Sequence, residues 1–361
     1  MTTAPASISP LPRGRLRRLG GAHGFARFVA RRIAALALLL VGITAVAFVL
    51  TQLVPSNAVA TNLGEQAAGD PAAVAAFKHH YGLDRPLPQR YGLYLWHTLH
   101  GDLGQSSLTH DAVTHDLGQT IPATAELALY AVLFAAIAGI TFGVVAALRR
   151  NKPTDHLLRV ASLAGISMPT FWIALIALYV GFYRLNWFPG AGRLEPGVDP
   201  PKSITGLYTI DALLHGDLGL FGQAFHHLVL PALVLAAFNV SLLTRFTRSA
   251  VLEVIGNDYV RAARAKGLPG RVVVVRYILR AALPAVVTVL GLVFANVLTG
   301  AVLVEKIFSW PGIGQYAYEA AVNLDVPSIA GVSIFVAVVY VTVNFVVDVL
   351  YGVIDPRIRL T

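Results

Sequence analysis

Six long stretches of the chain contain no Asp, Glu, Lys or Arg: residues 33–54, 127–148, 160–183, 228–244, 281–304 and 326–347. An α-helix needs roughly 20 mainly apolar residues to cross a bilayer. Five of the stretches reach that length. The fourth has 17 residues, but an uncharged run extends it back through His226 and His227 to Leu218. The pattern predicts an all-α integral membrane protein with six transmembrane helices. It leaves three long loops, 55–126, 184–227 and 305–325, alternating with shorter basic segments. Pro169 within the third span and Pro231 near the start of the fourth are expected to kink those helices.

Composition supports a membrane reading over a soluble one. Only 13% of residues are charged and 56% are hydrophobic, whereas soluble domains carry about 25% charged residues. Mean hydropathy is +0.65. The absence of cysteine removes disulfide scaffolds, thiolate metal sites and thiol nucleophiles from consideration. The net charge of +9, from 23 Arg and 5 Lys against 19 acids, would suggest nucleic acid in a soluble protein. Here the basic residues segregate. Segments 1–32, 149–159, 245–280 and the tail beyond 352 hold seven, four, eight and two Lys or Arg, while the three long loops hold three, three and one. The positive-inside rule therefore places both termini in the cytoplasm and the long loops outside, with no nucleic acid needed to explain the charge.

Residues 1–24, rich in Pro, Gly, Ser and Arg, read as a disordered basic tail, and 25–32 as a short basic helix on the membrane surface. Ala58-Val59-Ala60 has the form of a signal-peptidase site, but the preceding apolar run is too long for a signal peptide. The first two outer loops echo each other. Gly92-Leu93-Tyr94 leads to His100-Gly101-Asp102-Leu103-Gly104, and Gly206-Leu207-Tyr208 leads to His215-Gly216-Asp217-Leu218-Gly219. Both read as interfacial helices stopped at a glycine.

The most informative segment is Asp258-Tyr259-Val260-Arg261-Ala262-Ala263-Arg264-Ala265-Lys266-Gly267-Leu268-Pro269. Asn257 or Asp258 is placed to cap a helix, basic residues fall in its last turn, Gly267 supplies a left-handed stop and Pro269 prevents continuation. Ala262, Ala263 and Ala265 keep such a helix thin enough for another protein's groove. Arg261, Arg264 and Lys266 offer it polar anchors.

This segment resembles the cytoplasmic signature of permease subunits of binding-protein-dependent ABC importers, whose E-A-A, three residues, G, spacer, L-P frame is met by Arg261-Ala262-Ala263, Gly267 and Leu283-Pro284. Arg261 replaces the usual Glu, and the longer string from Asp258 to Gly267 is similar to the form of the dipeptide and oligopeptide branch. Further similar stretches include Pro122-Ala123-Thr124-Ala125-Glu126, Ser167-Met168-Pro169-Thr170-Phe171-Trp172 and Trp310-Pro311-Gly312-Ile313-Gly314. Together they cover nearly all of residues 25–361 and match the first of the two peptide-permease subunits.

The resemblance implies a type I importer permease: half of a translocation pore for di- or oligopeptides in the bacterial inner membrane. Its implied partners are a second permease subunit, two cytoplasmic ATPases and an external peptide-binding protein. The coupling helix to an ATPase would comprise Asp258, Tyr259, Arg261, Ala262, Ala263, Arg264, Lys266 and Gly267. Trp310, Pro311, Gly312 and Gly314 would form a turn folding back toward the pore. No phosphate-cradling G-x-x-x-x-G-K-[ST] occurs, so ATP and its Mg²⁺ belong to the partner ATPases and this chain needs no cofactor.

Three other readings compete. An ion-coupled carrier would place working carboxylates in the membrane. The candidates are Glu126, expected to cap the outer end of the second span, and Asp348 near the inner end of the sixth. Such carriers show helices broken in corresponding halves, which the sequence does not. A nickel permease of the same family would use histidines, and His79-His80, His97 with His100, and His226-His227 fall in the outer loops. Yet no third ligand converges with any pair, so no metal site is expected. Heme or glutathione would be alternative cargo. No catalytic constellation is present.

Overall fold

The computed structural model describes residues 21–53, 72, 75 and 85–354. Helices dominate them: α1 (Gly21–Leu53), α2 (Leu87–Leu99), α3 (Val113–Leu148), α4 (Pro153–Ser167), α5 (Thr170–Ala177), α6 (Tyr208–Leu214), α7 (Leu218–Ile255) and α8 (Asp258–Ala265). A π-helical segment, Leu178–Arg184, continues α5, and a turn at Gly270–Val272 and a second π segment, Val273–Leu279, lead into α9 (Arg280–Ile307). The last described helices are α10 (Ile313–Val322) and α11 (Val326–Ile354).

Three of these helices are individually long and apolar enough to cross a membrane: α3, α7 and the 326–343 stretch of α11. The 38 residues of α7 would extend about 57 Å, well beyond the ~30 Å hydrocarbon core. It is therefore longer than the charge-free run 228–244, continuing through Arg245 and Arg248 at one end and starting at the other from an Asp217 cap whose Oδ1 accepts the Leu220 N–H at 2.8 Å. Likewise α3 starts at Val113 rather than at 127 and passes through Pro122. A charge-free window stops short here because Asp116 and Glu126 lie within the helix, where the Tyr316 hydroxyl hydrogen-bonds the first and Arg193 pairs with the second.

The third apolar stretch is not one continuous helix. Between α4 and α5 the chain bends by 104° at Met168 (ψ 129°) and Pro169 (ψ 136°). Proline has no N–H to donate and forces its predecessor into an extended conformation, so the expected kink becomes a break. The first helix also differs from expectation. It begins at Gly21, so residues 21–24 are helical and 25–32 are the start of α1 rather than a separate surface helix. Nothing between 25 and 53 forces a stop. The rest of the basic tail, Ala58 to Ala60 and His79-His80 lie outside the described residues.

The core is built on α3 and α7. Leu127, Ala128, Ala131 and Ala135 bury against Leu228, Leu235 and Leu243, and Val293 and Val297 of α9 close the cluster. A Cβ at Gly143 would lie 2.5 Å from Thr247 Cβ and 2.8 Å from the Thr244 carbonyl. Small residues at such a crossing let backbones approach closely in a lipid setting, where apolar burial alone does not drive helices together. The two echoing loops share one geometry. His100 and His215 end α2 and α6 with ring Nδ1 atoms 2.8 and 2.7 Å from the carbonyls four residues back. Gly101 and Gly216 follow with φ of 82° and 72°, and the Asp102 and Asp217 amides bond to carbonyls five residues earlier. The pattern is that of a glycine-stopped helix end.

Candidate functional site

At the end of the molecule carrying the basic segment, α7 stops at Gly256 and α8 folds back beneath it. Val260 and Ala263 are buried against Ala147, Val251, Val254, Val273 and Ile278. Gly267 adopts φ 71°. That lets the Leu268 amide reach the Ala263 carbonyl at 3.4 Å and turns the Leu268 side chain toward the same cluster. Ala263 therefore faces the chain's own core and is not available to a partner's groove. Asn257 holds the N-cap position without a side-chain capping bond, and the neighbouring Asp258 carboxylate pairs with Arg261. Tyr259, Arg261, Ala262, Arg264, Ala265, Lys266 and Gly267 are exposed. The result is a short helix with an apolar foot and a basic outer face.

The platform behind α8 is tied by Asp155, a residue the sequence does not single out. Its carboxylate, fully buried, receives Arg248 Nε at 2.7 Å and Nη2 at 2.9 Å, with the Asn151 amide at 3.0 Å. This bidentate pair fixes the start of α4 to the extension of α7. Bidentate guanidinium–carboxylate geometry supplies direction as well as attraction.

The opposite end is organised by two buried glutamates. Glu126 lies well inside α3, 1% exposed, so it does not cap the outer end of a helix as its sequence position suggests. Its Oε2 accepts Arg193 Nη2 at 2.6 Å, and its Oε1 accepts the Thr209 amide at 2.7 Å and hydroxyl at 2.6 Å. Arg193 also lies over the Tyr208 ring, 3.4 Å from its centroid, and donates to the Gly206 carbonyl at 3.0 Å. Every oxygen of Glu126 is thus engaged in pinning the 193–209 loop to α3, a structural duty and not that of an ion carrier. Next to it, Asp211 clamps the same loop. Burial pushes its carboxyl up, but the Thr205 hydroxyl and amide and the Ile204 and Gly206 amides together hold it below the usual range.

Glu305, also fully buried, accepts the Thr124 hydroxyl at 2.6 Å, the Gly314 amide at 2.7 Å and the Gln315 amide at 3.1 Å. It thereby caps the otherwise unsatisfied N–H groups that open α10. The Trp310–Gly314 turn folds back onto α3, with Trp310 Nε1 donating to the Ala123 carbonyl at 2.9 Å. Trp310, Gly312 and Gly314 are buried, and Pro311 is exposed. Beside this junction lies an apolar cleft lined by Thr124, Val302, Gly314, Ala317, Phe335 and Val336.

The histidines expected to face outward occupy local roles. His226 Nε2 lies 2.7 Å from the Trp187 carbonyl, His227 Nδ1 lies 3.2 Å from that of Gly192, and His97 pairs with Asp102 at 3.2 Å. Among the described residues no three His, Asp or Glu side chains converge as a metal site. The Asp348 side chain lies outside the described residues.

Comparison with known proteins places this geometry. A model of the binding-protein-dependent transport system inner membrane component matches residues 139–360, and a model of the N-terminal part of such components matches 25–128. The chain therefore belongs to the family of binding-protein-dependent transport system inner membrane components. It is a multi-pass permease of the bacterial inner membrane, not an enzyme by itself, and works with ATPase and binding-protein partners. It is 46% identical over 334 residues to the di/tripeptide transport system permease protein DppB of Pseudomonas aeruginosa, covering 92% of this chain and 98% of that one. It is 42% identical over 323 residues to the probable D,D-dipeptide transport system permease protein DdpB of Escherichia coli, covering 90% and 94%. Among solved structures, a chain of the MetNI methionine ABC transporter in inward facing conformations superposes with a TM-score of 0.50 at 15% identity, over 66% of this chain and 96% of that one. That likeness concerns the fold alone.

Proposed function

We propose that this chain is one of two permease subunits in an ATP-driven importer of di- and oligopeptides, with α8 as the helix that docks on a cytoplasmic ATPase. The observation that carries the reading is the two-sidedness of α8. Val260, Ala263 and Leu268 anchor it to the chain's own core, while Arg261, Arg264 and Lys266 face outward from a helix too short to stand alone. The peptide cargo rests on the relatives named for di- and tripeptides. In this reading the chain crosses the membrane six times with both termini in the cytoplasm. ATP and Mg²⁺ bind only to two ATPase subunits, and an external receptor delivers the peptide. Closure of the ATPases moves α8, and through the Asp155–Arg248 tie moves α4 and α7, opening the paired permeases outward. Pro311 and the cleft beside Gly314 belong to the outer mouth of the pore.

Gly267→Val tests the docking role. A β-branched residue in the left-handed region costs roughly 1–2 kcal/mol. The helix end should therefore unwind and release Leu268, while the chain stays inserted because no side chain lies within 4 Å of that position. The expected result is ATP hydrolysis without peptide uptake in reconstituted vesicles. Uptake at the wild-type rate would remove α8 from the coupling path. Orientation has its own check. Protease added outside intact cells should cut between Leu63 and Asp116 and spare 258–280, and the reverse pattern would invert the topology.

A further inference from the structure

The turn between α3 and α4 and the outer face of α4 take no part in the reading above. At Asn151 the chain enters the left-handed region, with φ 62°. The Asn151 amide donates to Asp155 Oδ2 at 3.0 Å and the Lys152 amide to the Arg149 carbonyl at 3.0 Å. Backbone bonds and one buried carboxylate therefore fix this turn, and the side chains of Arg149, Arg150 and Lys152 are left exposed on it. Arg149 donates to the Thr154 hydroxyl at 3.3 Å. Among the described residues no carboxylate lies within ion-pair distance of any of the three. Asp155 cannot serve them, because Arg248 at 2.7 Å and Arg159 at 3.8 Å already share it.

The helix that follows is built inside out. Asp155 and Gly165 face α7: the first is held by Arg248, and a Cβ on the second would collide with the Ser241 hydroxyl. On the opposite side Leu157, Val160 and Leu163 are 68%, 64% and 60% exposed. A helix bordered by water turns its leucines to the protein and its acids outward. α4 does the reverse, so its outer face meets an apolar medium. The 104° bend between α4 and α5 also keeps the two from running together along the membrane normal. An inclined helix with a cationic start and an apolar outer face has the form of an interfacial segment.

We propose that this corner binds an anionic phospholipid, with Arg149, Arg150 and Lys152 on its headgroup phosphate and Leu157, Val160 and Leu163 along its acyl chains. An acidic protein surface would answer the cations and leave the aliphatic side chains uncovered. A neutral lipid would cover the aliphatic side chains and leave the cations without counter-charge. Only a ligand that is anionic at one end and apolar along its length matches both. In the orientation proposed above, on which this point alone rests, the lipid belongs to the cytoplasmic leaflet. Because Asp155 ties the turn to α7, the lipid braces the corner where α3, α4 and α7 meet.

Native mass spectrometry of the complete transporter tests this with neither ATP nor peptide present, so its outcome is independent of cargo and coupling. The complex is released from vesicles of equal parts phosphatidylglycerol and phosphatidylcholine with identical acyl chains. One phosphatidylglycerol per copy of this chain is expected to stay bound in preference to phosphatidylcholine, and excess inorganic phosphate should not displace it. Replacing Arg149, Arg150 and Lys152 together by glutamine should weaken its retention at least about tenfold. Val160→Glu, which sets a negative charge on the outer face and leaves the turn intact, should do the same. The charge-matched control, Arg85, Arg184 and Lys202 replaced by glutamine, should retain the lipid. Equal binding of the two lipids by the wild type, displacement by phosphate, or equal loss in the control overturns the proposal. So does loss of an ATPase subunit from the triple variant, which would assign the cations to a protein contact. Should the triple variant fail to assemble, Val160→Glu and the wild-type preference carry the decision.

Discussion

Replacing Arg193 by leucine should destabilise the folded chain by about 3–5 kcal/mol, the usual cost of stranding one member of a buried ion pair. The buried Glu126 carboxyl would lose its guanidinium partner and keep only Thr209 to satisfy it. The 193–209 loop would lose one of its anchors and the guanidinium stacked on Tyr208. Adding Glu126→Gln should recover much of the loss, since the uncompensated charge, and not the missing contact, dominates. A denaturant titration of the purified chain, with both single variants and the double variant, gives the comparison. An Arg193→Leu protein as stable as wild type would mean that the pair is solvated and the loop is held by something else.

Gly312→Ala is the second large effect. A Cβ at this position would sit 2.4 Å from both Glu305 Oε2 and Thr124 Oγ1. Neither can retreat without breaking the bonds that cap α10. Overpacking costs ~1–3 kcal/mol and an orphaned buried donor a similar amount, so roughly 2–6 kcal/mol is expected. Limited proteolysis at Lys306 should accelerate and uptake should fall. The matching control is Gly222→Ala on the exposed side of α7, where nothing lies within 4 Å and alanine is the better helix former. Equal behaviour of the two variants would remove the Glu305 cap from the account.

Much of this was readable in the chain itself. The glycine stop of α8 follows from residue chemistry alone, because a helix that meets Lys266-Gly267-Leu268-Pro269 has one inexpensive way to end. The repeated His-Gly-Asp-Leu-Gly endings of α2 and α6 were visible as letters, and both fold as glycine-stopped helix ends. The break at Pro169 was visible as a proline, but its angle was not. A proline sets what the backbone cannot do, and the packing around it sets where the next segment goes.

The charged residues separate the two sources of information. Sequence alone determined an all-helical chain whose long apolar helices belong in a bilayer, the asymmetry of its basic residues and the short helix stopped by Gly267. Each of these depends on properties of neighbours along the chain. Only the tertiary structure decided that Glu126, Asp155 and Glu305 are internal fasteners, because their partners Arg193, Arg248 and Thr124 lie 67, 93 and 181 positions away. A carboxylate's role is set by what faces it in space, and no local pattern encodes a partner brought up by folding.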